Sequence, residues 1–238
     1  MEFRNSLLSA LSPVDLAELF PSMKEISLGV GQVLCEPGET LETVYFPSSA
    51  VISVVMAMED GREVETASIG NESVAGLLCG LTGYAPVTRM FVQIAGGAIK
   101  LPAARLRARA IESPAFAQLV LRSAQANAAQ TEQSAACNAL HHLSARLARW
   151  LLICQDRVDS PVMMLTQEYM GVMAGALRSS ISLTASEFKD AGLIRYSRGQ
   201  VEILDRPRLE QRACECYRAD RNIRAGLLSG NYNGVANR

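Results

Sequence analysis

Between Lys24 and Leu101 short apolar runs alternate with breaks at Gly and Pro: EISLGVGQVL, TVYFP, AVISVVMAM, EVETASIG and RMFVQIAGGAIKL. Period-two patterning predicts β-strands, because successive side chains on a strand point to opposite faces. Glu59-Asp60-Gly61-Arg62 separates two of these runs and has the composition of a hairpin turn. A series of short strands with no long helix among them predicts an antiparallel sandwich or barrel.

On either side of this block the apolar period lengthens to that of helices. Upstream, Leu7, Leu8, Leu11, Leu16 and Leu19 recur at roughly helical spacing, and Ser12-Pro13 reads as the cap and first turn of a second short helix. Downstream, Pro102 to Ser113 reads as a helix and Pro114 opens another; from Ala115 to about Ala136 there is neither Gly nor Pro. Phe116, Leu119, Val120, Ser123, Ala126, Asn127, Gln130 and Ser134 fall along one face, and small Ala and Ser side chains let a second helix approach closely. That face is expected to meet a second copy of the chain, with its own barrel as the alternative. His142 to Gln155 predicts a further helix, with Leu143, Leu147, Trp150, Leu151 and Cys154 on one stripe and Arg146, Arg149 and Arg157 off it. It ends before Asp159-Ser160-Pro161. The stretch after Arg224 (AGLLSGNYNGVANR) is rich in Gly and Asn and is expected to be loose.

Residues 165–192 read LTQEYMGVMAGALRSSISLTASEFKDAG. Thr166 is suited to cap a short helix, Gln167 to Ala174, with Met170 and Met173 facing inward. Gly171 is small where a partner helix must cross, and Gly175 suits a tight turn that needs positive φ. A second helix from about Leu177 to Asp190 turns Ile181, Thr184, Ala185 and Phe188 inward, with Gly192 just past its end. Arg178, Ser179 and Ser182 then form the exposed N-terminal face that a helix-turn-helix lays in the major groove. LIRYS and QVEIL around Ser197-Arg198-Gly199 have the shape of a wing.

Charge sharpens this picture. Residues 1–140 hold nine Lys/Arg against 14 Asp/Glu, whereas residues 141–238 hold 14 against 10, and 13 of those 14 cations are Arg. An anionic partner therefore belongs to the C-terminal part, where Arg suits bidentate contacts to phosphate or guanine. The longest apolar run, Val51 to Met58, is far too short to cross a membrane. No basic segment followed by an apolar stretch opens the chain. A cytoplasmic protein without membrane contact is expected.

These motifs resemble those of the Crp/Fnr family of transcription regulators along nearly the whole chain. The first half carries LSPVDLAELF, GQVLCEPGE, VYFPSSAVISVV, EDGREVE and IGNESVAG; the second carries AACNALHHLSARLARWLL, LTQEYMGVMAG, AGLIRYSRGQVEILD and CECY. It is similar to the branch with Cys-Asn-x-x-His before an Arg-Leu-Ala-Arg-Trp helix. The resemblance implies an α+β fold: a cyclic-nucleotide-binding-like antiparallel β-roll over residues 1–113, a dimerisation helix over 114–138, and a winged helix-turn-helix over 139–238. It implies a homodimer on double-stranded DNA, with RNA polymerase as a further partner. Arg178 falls on the family's base-contacting arginine, where a bidentate bond to guanine is worth about 1–3 kcal/mol of discrimination. Thr166 and Gln167 fall where phosphate contacts are expected. Leu177 and Leu183 stand where the family often has polar or basic residues, so Arg195, Arg198, Arg146 and Arg149 are left to supply the phosphate attraction. A sensor dimer whose helix-turn-helix contacts a protein is the alternative.

The resemblance also implies a ligand pocket with a Gly-Glu pair and an Arg-Ser/Thr pair around a cyclic nucleotide. Gly76 then matches the glycine, but Leu77 replaces the Glu that accepts the ribose hydroxyl. Arg89, after Thr88, matches the arginine, but Met90 replaces the hydroxyl residue. A signal other than cyclic AMP is expected.

Six cysteines at 35, 79, 137, 154, 214 and 216 show no framework spacing, as suits a reducing compartment. No cysteine cluster precedes Cys35, which argues against an iron–sulfur cluster. Cys137, His141, Cys214 and Cys216 have the ligand types of a four-coordinate zinc site. Their separation favours a helix-junction Asn/His network with unrelated thiols, so neither a metal nor another cofactor is expected. No nucleophile motif or phosphate loop points to an enzyme.

Overall fold

The computed structural model describes residues 3–158 and 160–229. Two short helices open the chain, α1 (Ser6–Ser9) and α2 (Pro13–Leu19). Ser12 caps α2 by accepting from the Asp15 N–H, with Pro13 in the first turn as expected.

Strands β1 (Lys24–Leu28), β2 (Val33–Cys35), β3 (Thr43–Pro47), β4 (Val51–Ala57), β5 (Glu63–Ile69), β6 (Arg89–Ile94) and β7 (Gly96–Pro102) follow, with helix α3 (Leu77–Thr82) between β5 and β6. They pair antiparallel in two sheets, β1-β7-β3 and β2-β6-β4-β5. The hairpin between β4 and β5 closes at Met58–Arg62, with Gly61 at φ 80° and the Arg62 N–H on Asp60. The first and last apolar runs each supply two strands, because Gly29-Val30-Gly31 and Ala95-Gly96 bend the chain from one sheet to the other.

Helix α4 (Ala103–Glu112) leads to the long α5 (Pro114–Leu140), which Ser113 caps through the Phe116 N–H. Then come α6 (Leu143–Arg157), β8 (Val162–Met164), α7 (Gln167–Ala174), α8 (Arg178–Asp190), β9 (Ile194–Ser197), β10 (Gln200–Ile203), α9 (Arg206–Arg212) and α10 (Cys216–Ser229). The wing strands belong to a three-stranded sheet, β8-β10-β9. Asp159 lies outside the described residues, as does the tail beyond Ser229. The part of the tail that is described is not loose: Ala225–Ser229 continue α10, and Leu227 is buried.

Two cores share one sheet. Leu7, Leu19, Leu28, Phe46, Ile52, Val92, Leu101, Leu106, Phe116 and Leu119 fill the space between the sheets, α4 and the start of α5. The other face of β4 and β6, carrying Val51, Val55, Phe91 and Ile94, packs on Leu147 and Leu151 of α6, Met170 and Met173 of α7, and Ile181 and Phe188 of α8. With both faces covered, β4 reads VISVV rather than as an apolar–polar alternation.

The thiols are not all unrelated, contrary to expectation. The ligand atoms of Cys137, His141, Cys214 and Cys216 lie within 4.8 Å of one another, where the end of α5 meets the α9–α10 connection.

Candidate nucleic-acid interface

The helix-turn-helix forms as its residues demand. Thr166 caps α7 by accepting from the Tyr169 N–H at 3.2 Å. Gly175 ends α7 at φ 57°, and the Ala176 N–H returns to the Gly171 carbonyl at 2.9 Å. A methyl group on Gly171 would stand 3.0 Å from the Ala176 oxygen, so glycine keeps that turn tight. In α8, Ile181, Thr184, Ala185 and Phe188 are buried as expected.

The opposite side of α8 carries Arg178, Ser179, Ser182, Leu183 and Ser186, all exposed. Leu177 precedes them as an extended residue without a side-chain cap, which leaves the first backbone N–H groups free for an anion. No ion pair among the described residues engages Arg178 or Arg198. Arg198 stands at the wing tip with φ 50°, followed by Gly199 at φ 75°, a pairing that suits a two-residue hairpin turn. Gln167 Nε2 donates to Ser182 Oγ at 3.3 Å and braces α8 against α7.

Three of the remaining expected cations are less available. Arg195 is paired with Glu202, directly opposite on β10. Arg146 donates to Asn138 Oδ1 at 3.0 Å, and Arg149 is buried. The off-stripe position of Arg149 on α6 is covered by other elements, a fact its helical period could not reveal.

The expected ligand residues do not converge. Leu77 is packed in the inter-sheet core beside Met90 and Val92. Alternation along β6 turns Arg89 to the other face with Phe91, over whose ring its guanidinium sits at 5.5 Å. There Arg89 pairs with Glu36 at 3.2 Å and Glu63 at 3.5 Å. Thr88 is half-buried next to it, and Gly76, at φ 80°, opens α3 against Leu41. Arg89 instead lines a cleft of about 390 Å³ with Thr166, Glu168 and Tyr169 of the second half. Thr166 thus stands at the seam between the halves.

Residues 145–212 match the Crp-like helix-turn-helix domain. The Global nitrogen regulator of Synechococcus elongatus (strain ATCC 33912 / PCC 7942 / FACHB-805) is 24% identical over 217 residues, which is 87% of this chain and 96% of the relative. That of Nostoc sp. (strain PCC 7120 / SAG 25.82 / UTEX 2576) is 29% identical over 158 residues, 65% of this chain and 66% of the relative. The structure of FixK2 from Bradyrhizobium japonicum superposes with a TM-score of 0.69 at 18% identity, covering 81% of this chain and 98% of that one. TTHB099 from Thermus thermophilus, described as a transcriptional regulator of the CRP family, gives 0.65 at 22% identity over 79% and 96%. Residues 145–212 thus form a Crp-like helix-turn-helix domain, and the chain as a whole has the fold of the Crp/Fnr regulators.

The long helix α5 uses its faces differently from expectation. Phe116, Leu119 and Val120 belong to the inter-sheet core of their own chain. Ser73 Oγ meets Ser123 Oγ at 3.0 Å and Asn127 Oδ1 at 2.9 Å. Ala126 and Gln130 are buried as well. The face expected to meet a partner is therefore spent within the chain. The exposed stripe is Gln118, Leu121, Gln125, Ala128, Glu132 and Ala135, at alternating steps of three and four.

Two glutamates join the first half of the chain to the second. Burial pushes Glu65 up to about 7, against the opposing pull of the Ser53 hydroxyl at 2.6 Å and the Arg157 charge. Desolvation of the half-buried Glu72 would by itself raise it, but Arg157 and Arg224 outweigh this and hold it at about 2. The four residues able to hold a metal belong to neither α7 nor α8. Helix α10, which packs along α5, escaped the sequence reading; Ile223, Arg224 and Leu227 carry its helical period and are the signal that would have found it.

Proposed function

We propose that this protein binds a two-fold-symmetric DNA site as a homodimer, with α8 of each subunit in the major groove and the wing on the flanking backbone. The exposed, unpaired Arg178 at the first turn of α8 carries this reading. Its guanidinium can donate two hydrogen bonds to guanine O6 and N7. Arg198 at the wing tip reaches phosphate. Leu177 and Leu183, 75% and 68% exposed beside Arg178, offer apolar contacts to thymine methyl groups. Dimerisation runs through the Leu121–Ala128–Ala135 stripe of α5, whose seven-residue repeat suits a two-helix seam. It brings two half-sites about one helical turn apart.

The controlling signal in this reading is not cyclic AMP. A ribose acceptor is missing at Leu77, and Arg89 already has two carboxylate partners.

Gel retardation on DNA upstream of its own gene tests the reading. Specific, salt-sensitive retardation is expected for the native protein, and Arg178→Ala should lose about 1–3 kcal/mol of discrimination at one base position per half-site. Unchanged sequence preference in Arg178→Ala, with the dimer intact, would sink it.

A further inference from the structure

We propose that Cys137, His141, Cys214 and Cys216 are the four ligands of a structural zinc(II) ion that clamps the end of α5 to the start of α10. The ligand set, three thiols and one imidazole, is of the kind that closes a tetrahedral zinc site without leaving a position for water. Zinc–sulfur and zinc–nitrogen bonds of about 2.3 and 2.0–2.1 Å place tetrahedral sulfurs about 3.8 Å apart, and sulfur and nitrogen about 3.6 Å apart. Cys137 Sγ and Cys214 Sγ are 3.5 Å apart, and Cys216 Sγ lies 3.6 Å from His141 Nδ1. All four ligand atoms fall within 4.8 Å of one another, and the three cysteines are buried.

What surrounds the cluster is also what a zinc site needs. His141 Nε2 lies 3.1 Å from Glu215 Oε1, a carboxylate placed to hold the proton on that nitrogen when Nδ1 turns its lone pair to a metal. Gln133 Nε2 points at Cys216 Sγ at 3.0 Å, a donor suited to a thiolate. Arg149 is buried, and among the described residues no carboxylate pairs with it. Binding of the dication releases three thiol protons and leaves a unit of net charge −1. A Cys137–Cys214 disulfide would account for two of the four residues and leave Cys216, His141 and Glu215 without a purpose.

The clamp sits at a joint. His141 follows the last residue of α5 and His142 directly precedes α6, while Cys214 and Cys216 bracket the turn into α10. The ion would fix the angle at which the long helix passes into the DNA-binding half, independently of whether that half binds DNA.

The full-length protein, purified anaerobically without chelator, should contain one zinc per chain by elemental analysis. Zinc-free protein titrated with cobalt(II) should show intense tetrahedral d–d bands and a thiolate-to-cobalt charge-transfer band. Cys214→Ser and His141→Ala should lower metal affinity at least tenfold, and Glu215→Gln about tenfold through the imidazole it orients. Cys35→Ser, outside the cluster, should bind as the native protein does. If the cluster variants fail to fold, the charge-transfer intensity of the native cobalt protein still counts its thiolate ligands. Three supports the proposal. Native protein that is folded by circular dichroism yet holds no zinc and develops no thiolate–cobalt band overturns it. So does recovery of a Cys137–Cys214 disulfide that, once reduced, takes up no metal.

Discussion

Arg157 Nη2 lies 2.7 Å from Glu72 Oε1, tying the last turn of α6 to the loop that follows β5. Arg157 also donates from Nη1 to the Ser68 hydroxyl at 2.7 Å and from Nη2 to the Ser68 carbonyl at 3.0 Å, so its head is fully committed to the β-sheet half. Its stem crosses Gly70, where an added methyl would come within 2.4 Å of Cδ. That glycine is the space the arginine needs.

Glu72→Gln should therefore be costly at neutral pH. It leaves Arg157 and Arg224, both nearly buried, without their shared carboxylate. Breaking a buried pair from one side costs about 3–5 kcal/mol. Denaturant unfolding of the variant should show a loss of that order, and a loss below about 1 kcal/mol would mean that water reaches the arginines. Because Glu72 is held at about 2 from an ordinary 4.5, its contribution is present above pH 4.5 and fades as the pH falls toward 2.

Glu65 acts in the opposite direction. Its carboxyl, raised to about 7, favours the protonated form in the folded protein. Stability should accordingly fall as the pH rises from about 4.5 to 7 and level off above that, by on the order of 3 kcal/mol in all. Glu65→Gln should remove this slope and raise the melting temperature near pH 8. Melting curves across that range decide the matter; an unchanged slope in the variant would assign the titration to another group.

The two faces of α5 separate assembly from folding. Leu121→Glu, on the exposed stripe, should leave a folded monomer, detected by light scattering and circular dichroism. Leu119→Glu, two residues away but 5% exposed, should unfold the sensor by burying a carboxylate in its core. A native-sized dimer in Leu121→Glu would move the seam elsewhere.

Calorimetry with cyclic AMP and cyclic GMP should show no binding at tens of micromolar or tighter. Leu77→Glu should not create affinity, because the new carboxylate would enter a closed core instead of a pocket; restored binding would show that the core opens there.

Much of this was legible in the sequence wherever a local rule decides the geometry. Ser12, Thr166, Gly61 and Gly175 each satisfy one backbone demand, and each sits where its residue type says. The face of α5 was not legible. Apolar periodicity marks the side that is buried without saying against what, and Phe116, Leu119 and Val120 go to their own sheets. The stripe left for a partner, Gln118 to Ala135, is too polar to stand out. Arg89 was misplaced for a similar reason: a motif match gives a position along β6, whereas strand parity gives the face. The Cys/His cluster joins residues 77 positions apart, a separation that no spacing rule spans.

Helix α10 has a consequence for how the chain comes to be folded. Glu72 meets Arg224 across 152 residues, so a carboxylate beside the β-sheets draws half of its counter-charge from α10. During synthesis the β-sheets emerge and can collapse long before that helix exists. Until α10 has emerged, the nascent β-sheet half carries an anionic pit open to solvent. Products that stop after the wing would keep α8 and lose the helix that covers that pit.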